Sequence, residues 1–143
     1  MTSRTLARRI AEFAISKKAS DVVLMDLRKV SAPADFFVVC SADSEPQVKA
    51  VAEAIRRGSE EINANLWHSE GFHALSWVLL DYVDVVVHIF LRESRSFYNI
   101  ERLWGDAKSV TAEDSPEGVK FVLDRAAKPS RRARRKRTKT VPA

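Results

Sequence analysis

The chain has 143 residues, of which 45% are hydrophobic and 30% charged, the composition of one globular domain with a sizeable core. No apolar run approaches the roughly 20 residues that cross a bilayer, which excludes a membrane-spanning protein, so we expect a soluble, cytoplasmic protein without membrane contact. The only cysteine is Cys40, which excludes an intramolecular disulfide and a cysteine-based zinc site.

Charge is distributed unevenly along the chain. The formal net charge is +5, but nine Lys or Arg and no acid follow Asp124, so the part before Arg125 carries a balance of −4. The basic segment is typical either of an electrostatic arm for a polyanion or of a solubilising extension, and composition favours neither. The residues that could contact RNA are Arg131, Arg132, Arg134, Arg135, Lys136 and Arg137.

The first half of the chain predicts alternating helices and strands. Apolar residues at helical spacing indicate a first helix that is capped by Thr2 or Ser3 and ends near Lys17. Two continuous apolar runs at residues 21–27 and 35–41 indicate strands covered on both faces, so helices must flank the sheet. Ser44 followed by Pro46 predicts a second helix start, and Gly58 makes an unbroken helix less expected.

The second half predicts a hairpin followed by a short helix. A third short strand ends at Gly71, and residues 77–90 are β-branched and aromatic with one polar break at residues 81–84. Phe97, Ile100 and Trp104 then fall three and four residues apart, which predicts one buried helical face. The fold class is therefore α/β, a mixed sheet flanked by helices in a single domain.

Periodicity is lost after Asp106, apart from a weak apolar group around Val119 to Leu123. We therefore expect a folded domain over residues 1–110 and a basic, disordered tail over residues 111–143.

No catalytic site, metal site or cofactor is predicted. Asp84 and His88 lie four positions apart on a strand, roughly 13 Å, which is too far for shared metal ligation. Cys40 lies inside an apolar strand, where a thiol is usually inert. The segment at residues 40–44 follows a strand, as the phosphate-binding turn does in nucleotidyltransferases, and this enzyme class remains an alternative. A glycine-rich phosphate loop is not predicted, because none of the four glycines follows a strand and begins a helix.

The residues around the hairpin are typical of a protein interface. Aromatic groups occur together with acids, and this combination suits a basic protein better than nucleic acid. Trp77 and Trp104 could instead be core residues, and His88 a structural histidine.

The run W-V-L-L-D-Y-V-D-V-V-V-H-I-F, followed by R-x-F-Y-x-I-E-R-L-W-G-D, resembles the signature of the ribosomal silencing factor family, the Iojap-like proteins. The resemblance extends from about Ser20 to Asp106 and not into the tail. It implies a nucleotidyltransferase-like topology without the catalytic residues and a non-enzymatic translational repressor. Such a protein binds the large ribosomal subunit through its fourteenth ribosomal protein and sterically blocks joining with the small subunit.

The resemblance also implies the binding residues, which are Glu70, Trp77, Asp81, Tyr82, Asp84, His88 and Tyr98. Contact of the tail with rRNA and a homodimer of the free protein are further expectations. A general RNA-binding protein that acts through the tail is the second alternative.

One position departs from the family pattern. Many relatives have Gly where this chain has Val83, a β-branched residue that resists positive φ. A wider or type I turn is therefore expected, which would move Asp84.

Overall fold

The computed structural model describes residues 1–123. Helix α1 spans Ser3–Ser16, and the Thr2 hydroxyl caps it by accepting a hydrogen bond from the Thr5 N–H, as predicted. Helix α2 spans Glu45–Glu61, with Ser44 as its cap and Pro in its first turn. The two helices pack against each other and against the same face of the sheet.

Gly58 does not break α2, which continues to Glu61. The glycine is buried, and a Cβ atom built on it would lie 2.7 Å from the Phe13 ring of α1. Gly58 is therefore explained by close helix packing rather than by a helix break.

Seven strands form one mixed sheet in the order β3-β4-β5-β2-β1-β6-β7. Their bounds are β1 Ser20–Asp26, β2 Phe36–Ala42, β3 His68–Glu70, β4 Trp77–Asp81, β5 Val85–Leu91, β6 Lys108–Ser115 and β7 Gly118–Leu123. Only β2 and β5 run parallel, and the other neighbouring pairs are antiparallel. All of β2 and nearly all of β5 are buried, as the continuous apolar runs predict. The predicted α/β fold with a mixed sheet in a single domain is confirmed.

The two faces of the sheet carry different cores. The face under α1 and α2 is closed by side chains such as Ile10, Ile55 and Leu80, each with no exposed surface. The opposite face has a smaller core that includes Met25, Phe37 and Phe90. Because no long helix of residues 1–123 lies over this second face, these residues leave part of it open.

The segment after β5 forms two short helices instead of one. Helix α3 spans Arg92–Tyr98 and α4 spans Ile100–Leu103, and Asn99 between them is left-handed with φ of 46°. This break ends the helical spacing, so Ile100 is buried but Phe97 is 80% exposed. The prediction that Phe97 is a core residue is wrong.

Arg95 fixes α3 to the sheet. Its Nη1 donates to the Asp21 carbonyl at 2.6 Å and to the Ser41 hydroxyl at 2.9 Å. Its Nε and Nη2 donate to the Glu101 carboxylate at 3.1 and 2.9 Å. Because Arg95 is largely buried and its guanidinium is paired and hydrogen-bonded, it serves as a structural anchor.

The folded domain continues beyond residue 110, where the sequence placed its end. Strand β6 pairs with β1 from Val22 opposite Ala112 to Asp26 opposite Lys108, and β7 pairs with β6. The predicted boundary is therefore too early, because pairing with a distant strand stabilises a segment whose own pattern is weak. The rest of the predicted tail, residues 124–143 with its candidate RNA-contacting residues, lies outside the described residues. Within residues 1–123, no helix is long and apolar enough to cross a membrane.

Candidate functional site

The β4–β5 hairpin presents alternate side chains to the open face of the sheet. Val78 and Leu80 are buried under the helices, whereas Trp77, Leu79 and Asp81 between them are only partly buried. Leu79 lies directly opposite His88 of β5. Residues opposite each other in a sheet share a face, so the open face combines aromatic, aliphatic and acidic groups.

Aromatic rings hold this face together. The Trp77 ring lies 4.6 Å from the Tyr98 ring and 4.8 Å from the Phe90 ring, measured between centroids. The Phe37 ring meets the His88 ring edge-on at 4.6 Å. These contacts give the face a fixed shape, since each ring limits the rotamers of its neighbours.

His88 is buried, with 5% of its surface exposed, and burial lowers its pKa to about 4. The imidazole is therefore neutral at physiological pH. The Trp77 indole N–H donates to His88 Nδ1 at 3.2 Å, and because the indole can only donate, the imidazole proton is on Nε2. Nε2 has no hydrogen-bond partner within residues 1–123. It is a buried donor without a partner among these residues, which lowers the stability of the fold.

An open pocket of about 450 Å³ lies over this histidine. Asp81 and His88 are its two polar groups, and the remaining walls are apolar. At its mouth, the Trp67 side chain is 70% exposed and Val83 is 56% exposed. The full lining is Pro33, Phe37, Trp67, Leu79, Asp81, Val83, Val86 and His88; we call this site the hairpin pocket.

The turn that closes the hairpin is tight and has positive φ. The Asp84 N–H donates to the Tyr82 carbonyl at 2.9 Å, and Val83 between them has φ of 75°. This is a γ-turn with positive φ, a strained conformation for a β-branched residue. The expectation of a wider or type I turn is wrong, because Asp81 Oδ1 accepts the Val83 N–H at 2.7 Å and the Asp84 carbonyl accepts from Asp35 and Phe36.

The acids around the pocket are mostly unpaired. Across residues 1–123, Asp81 and Asp84 have no ion pair, and the only one of Glu70 is with His68 at 2.7 Å. Glu70 lies opposite Leu79, so it is on the pocket face of the sheet. An apolar pocket bordered by carboxylates that have no Lys or Arg partner within residues 1–123 suits a partner with both apolar and cationic side chains.

Nothing in the described chain supports metal or thiol chemistry. No cluster of three or more His, Cys, Asp or Glu side chains in residues 1–123 could hold a metal ion. Cys40 is fully buried, and burial raises its pKa to about 12, so its thiol is an inert core group.

Comparison with known proteins places the chain in a family. A sequence profile described as "Ribosomal silencing factor during starvation" matches residues 1–142. The chain belongs to the ribosomal silencing factor family. The resemblance found in the sequence is therefore confirmed. The family is one of regulatory proteins, and its name refers to the silencing of ribosomes.

Individual relatives agree with this assignment. The chain is 38% identical over 113 residues to ribosomal silencing factor RsfS of Halalkalibacterium halodurans, covering 79% of this chain and 97% of that protein. It is 35% identical over 101 residues to the chloroplast protein Iojap of Zea mays, covering 71% of this chain and 44% of that protein. A crystal structure of a Chromobacterium violaceum protein has a TM-score of 0.71 and 30% identity, covering 90% of this chain and 98% of that one.

The structure brings most of the residues suggested by the family resemblance to one face. Asp81 and His88 line the hairpin pocket, and Glu70 lies on the neighbouring edge strand opposite Leu79. The rings of Trp77 and Tyr98 contact each other at a tilt on the same face. Asp84 is exposed in the turn next to Val83.

Tyr82 lies on the other face. Only 6% of it is exposed, and its hydroxyl is 2.6 Å from the Ser59 hydroxyl of α2. Desolvation by burial raises its pKa, and the side chain packs in the core under the helices. Because β-strand residues alternate between faces, Tyr82 cannot join Asp81 in the pocket.

Sequence reasoning missed Trp67, Phe37 and Pro33 as pocket residues. The apolar pattern before Gly71 predicts only a strand there, whereas Trp67 lies just before the three-residue strand β3 and is largely exposed. An exposed Trp beside a short edge strand is the one available signal for it. Phe37 and Pro33 come from the β1–β2 region, which only the parallel pairing of β2 with β5 brings to the hairpin.

Proposed function

We propose that this protein represses translation by docking its hairpin pocket on the fourteenth ribosomal protein of the large subunit. In the proposed mechanism, the bound protein occupies the surface that meets the small subunit and keeps the two subunits apart. It acts without catalysis and in the cytoplasm, where ribosomes assemble on messages.

The observation that carries the proposal is the chemistry of the pocket. Asp81 at its edge presents a carboxylate with no ion pair within residues 1–123, and most of the remaining lining is apolar around the buried His88 ring. A basic protein segment offers cations to the carboxylate and the aliphatic parts of its side chains to the apolar walls. Nucleic acid phosphates would be repelled by the acids.

Exposed aromatic surface adds to this argument. Trp67 and Val83 stand at the mouth of the pocket and can bury apolar area against a partner. The residues that contribute most of the binding energy of a protein interface are often aromatic side chains in or near pockets. The same surface would be available for pairing with a second copy when the protein is free.

Co-sedimentation with purified large subunits, small subunits and joined ribosomes tests this proposal. Wild type is expected to migrate with large subunits only. Asp81→Asn is the sharpest variant, because the amide oxygen can still accept the Val83 N–H while the charge is removed. Asp114→Asn, at an exposed position of β6, is the matched control. Equal binding of both variants and wild type to every particle would reject the proposal.

The tail adds a second contact with RNA in this proposal. The residues proposed for rRNA contact are Arg131, Arg132, Arg134, Arg135, Lys136 and Arg137. Removal of residues 125–143 is expected to flatten the salt dependence of large-subunit binding, because fewer counterions are released. An unchanged slope would show that the tail makes no such contact.

A further inference from the structure

A second cavity, of about 640 Å³, lies between α1, β1 and β6. Its interior is apolar and includes Leu24, Phe36 and Val110, with Leu123 at the end of β7. We call it the α1 cavity. Its size falls within the range of small-molecule and cofactor sites, roughly 300 to 1,000 Å³.

Basic side chains dominate the lining charge of the α1 cavity. They are Arg4, Arg8, Arg28, Lys29 and Lys108, against the two acids Asp26 and Asp106. Asp26 is held by Arg28 in a two-fold hydrogen bond of 2.9 and 2.8 Å, which lowers the pKa of this carboxyl. Arg8, Lys29 and Lys108 have no ion pair in the part of the chain that the structure describes. The cavity therefore has free positive charge for an anion.

Three of its guanidinium groups are oriented by aromatic rings. Arg28 lies over the Phe36 ring at 5.1 Å and Arg4 over the same ring at 6.0 Å. Arg8 lies over the Phe121 ring at 4.6 Å. A guanidinium held on one face by a ring can stack a second planar group on its other face, as happens with unstacked RNA bases.

We propose that the α1 cavity binds an unstacked nucleotide of single-stranded RNA, with the base inside and the neighbouring phosphates on the basic rim. A base can stack on the guanidinium faces that the Phe36 and Phe121 rings leave open. An acyl chain has no planar group for this contact, so the cavity fits a base better than a lipid.

A polymer fits better than a single nucleotide. Leu123 lines the cavity, and the 20 residues that follow it in the sequence contain nine Lys or Arg and one acid. The β1–β2 loop also separates the two sites, because Arg28 and Lys29 line the α1 cavity while Pro33 lines the hairpin pocket. RNA binding here is thus distinct from the proposed protein docking, and next to it.

Fluorescence anisotropy of the full chain with a labelled oligoadenylate of about ten nucleotides tests the inference. The double charge reversal Lys29→Glu and Lys108→Glu is expected to raise Kd at least about tenfold and to lower the salt slope by roughly 0.7 per lost phosphate contact. The control is Lys49→Glu with Arg57→Glu on α2, which changes the net charge equally at a distance from the cavity.

Filling the cavity tests the base contact. Leu123→Trp places bulk at a half-exposed lining position and should weaken RNA binding about tenfold through lost stacking space. Val122→Trp, on the opposite face of the same strand, should leave binding unchanged. Far-ultraviolet circular dichroism confirms that both variants fold.

Several results would overturn the inference. Equal weakening by the two charge-reversal pairs would show that net charge alone governs binding. ATP binding as tight as the oligonucleotide would assign the cavity to a free nucleotide, and capture of anionic phospholipid vesicles that is lost in the same variants would assign it to a membrane surface. Asp81→Asn should bind the oligonucleotide like wild type, so this inference and the proposed docking can fail separately.

Discussion

Strand β4 shows both faces of the sheet within five residues. Val78 and Leu80 have no exposed surface under α1 and α2, whereas Trp77, Leu79 and Asp81 on the other side remain partly exposed. The helix-covered face is thus a fully buried core, while short helices and loops of residues 1–123 cover the opposite face only in part. We infer that stability resides mainly on the first face and partner binding on the second.

The largest expected effect is a difference in the free energy of unfolding between substitutions of two adjacent leucines, one on each face of the sheet. Leu80→Ala should lower the free energy of unfolding by about 3 kcal/mol, because it leaves a cavity in a fully buried core. Leu79→Ala, in the hairpin pocket, should cost about 1 kcal/mol or less, since its side chain is only partly buried. Urea denaturation of both variants measures the difference, and equal losses would contradict the comparison.

A pH effect of similar size is expected from His88. Its pKa is lowered by burial to about 4 in the folded state, against an ordinary value of 6.5. The unfolded chain therefore binds more protons between these values, so this contribution is fully present above pH 6.5 and is lost as pH falls through 4, by about 3 kcal/mol in total.

Urea denaturation from pH 7 to pH 4 measures this dependence. His88→Gln should flatten it, and the matched control is His73→Gln, at an exposed histidine with no ion pair within residues 1–123. A slope that survives His88→Gln would assign the effect to other groups.

Tyr82 sharpens the comparison because it was expected on the binding face. Tyr82→Phe removes the buried hydrogen bond to Ser59 and should cost about 1 kcal/mol of stability. It should leave binding to large subunits unchanged, since the hydroxyl points away from the pocket. Weaker binding of the folded variant to large subunits would show that Tyr82 contributes to the interface.

The smallest expected effect is a gain in stability at the turn. Val83→Gly should raise the free energy of unfolding by roughly 1 kcal/mol, the positive-φ strain exceeding the extra entropy of glycine in the unfolded chain. Val83→Ala keeps a Cβ atom at the same φ and is the control. A loss of stability in Val83→Gly would show that the turn is unstrained.

The sequence predicted the features that depend on local pattern. The caps at Thr2 and Ser44, the continuous apolar strands and the hairpin all result from spacing and side-chain type, and the structure has them. The prediction of one buried helical face that includes Phe97 is wrong, because one left-handed residue, Asn99, separates α3 from α4 and ends the helical periodicity between them.

Long-range contacts could not be predicted in the same way. Strand β6 is stabilised by β1, more than 80 residues earlier in the chain, for example through Leu24 opposite Val110. The positive φ of Val83 occurs in a turn where the Val83 N–H donates to the Asp81 carboxylate and the Asp84 carbonyl accepts from Asp35 and Phe36. The hairpin pocket itself combines Phe37 and Trp67 with the hairpin, which only the folded sheet brings together.

The most direct test of the central claim is subunit joining followed by light scattering. Large subunits are incubated with the protein before small subunits are added, and the variants are Trp67→Ala and Asp81→Asn, with Asp114→Asn as control. Wild type and the control should suppress joining, and both pocket variants should allow it at the same protein concentration. Suppression by the folded pocket variants as strong as that of wild type would contradict docking through the hairpin pocket.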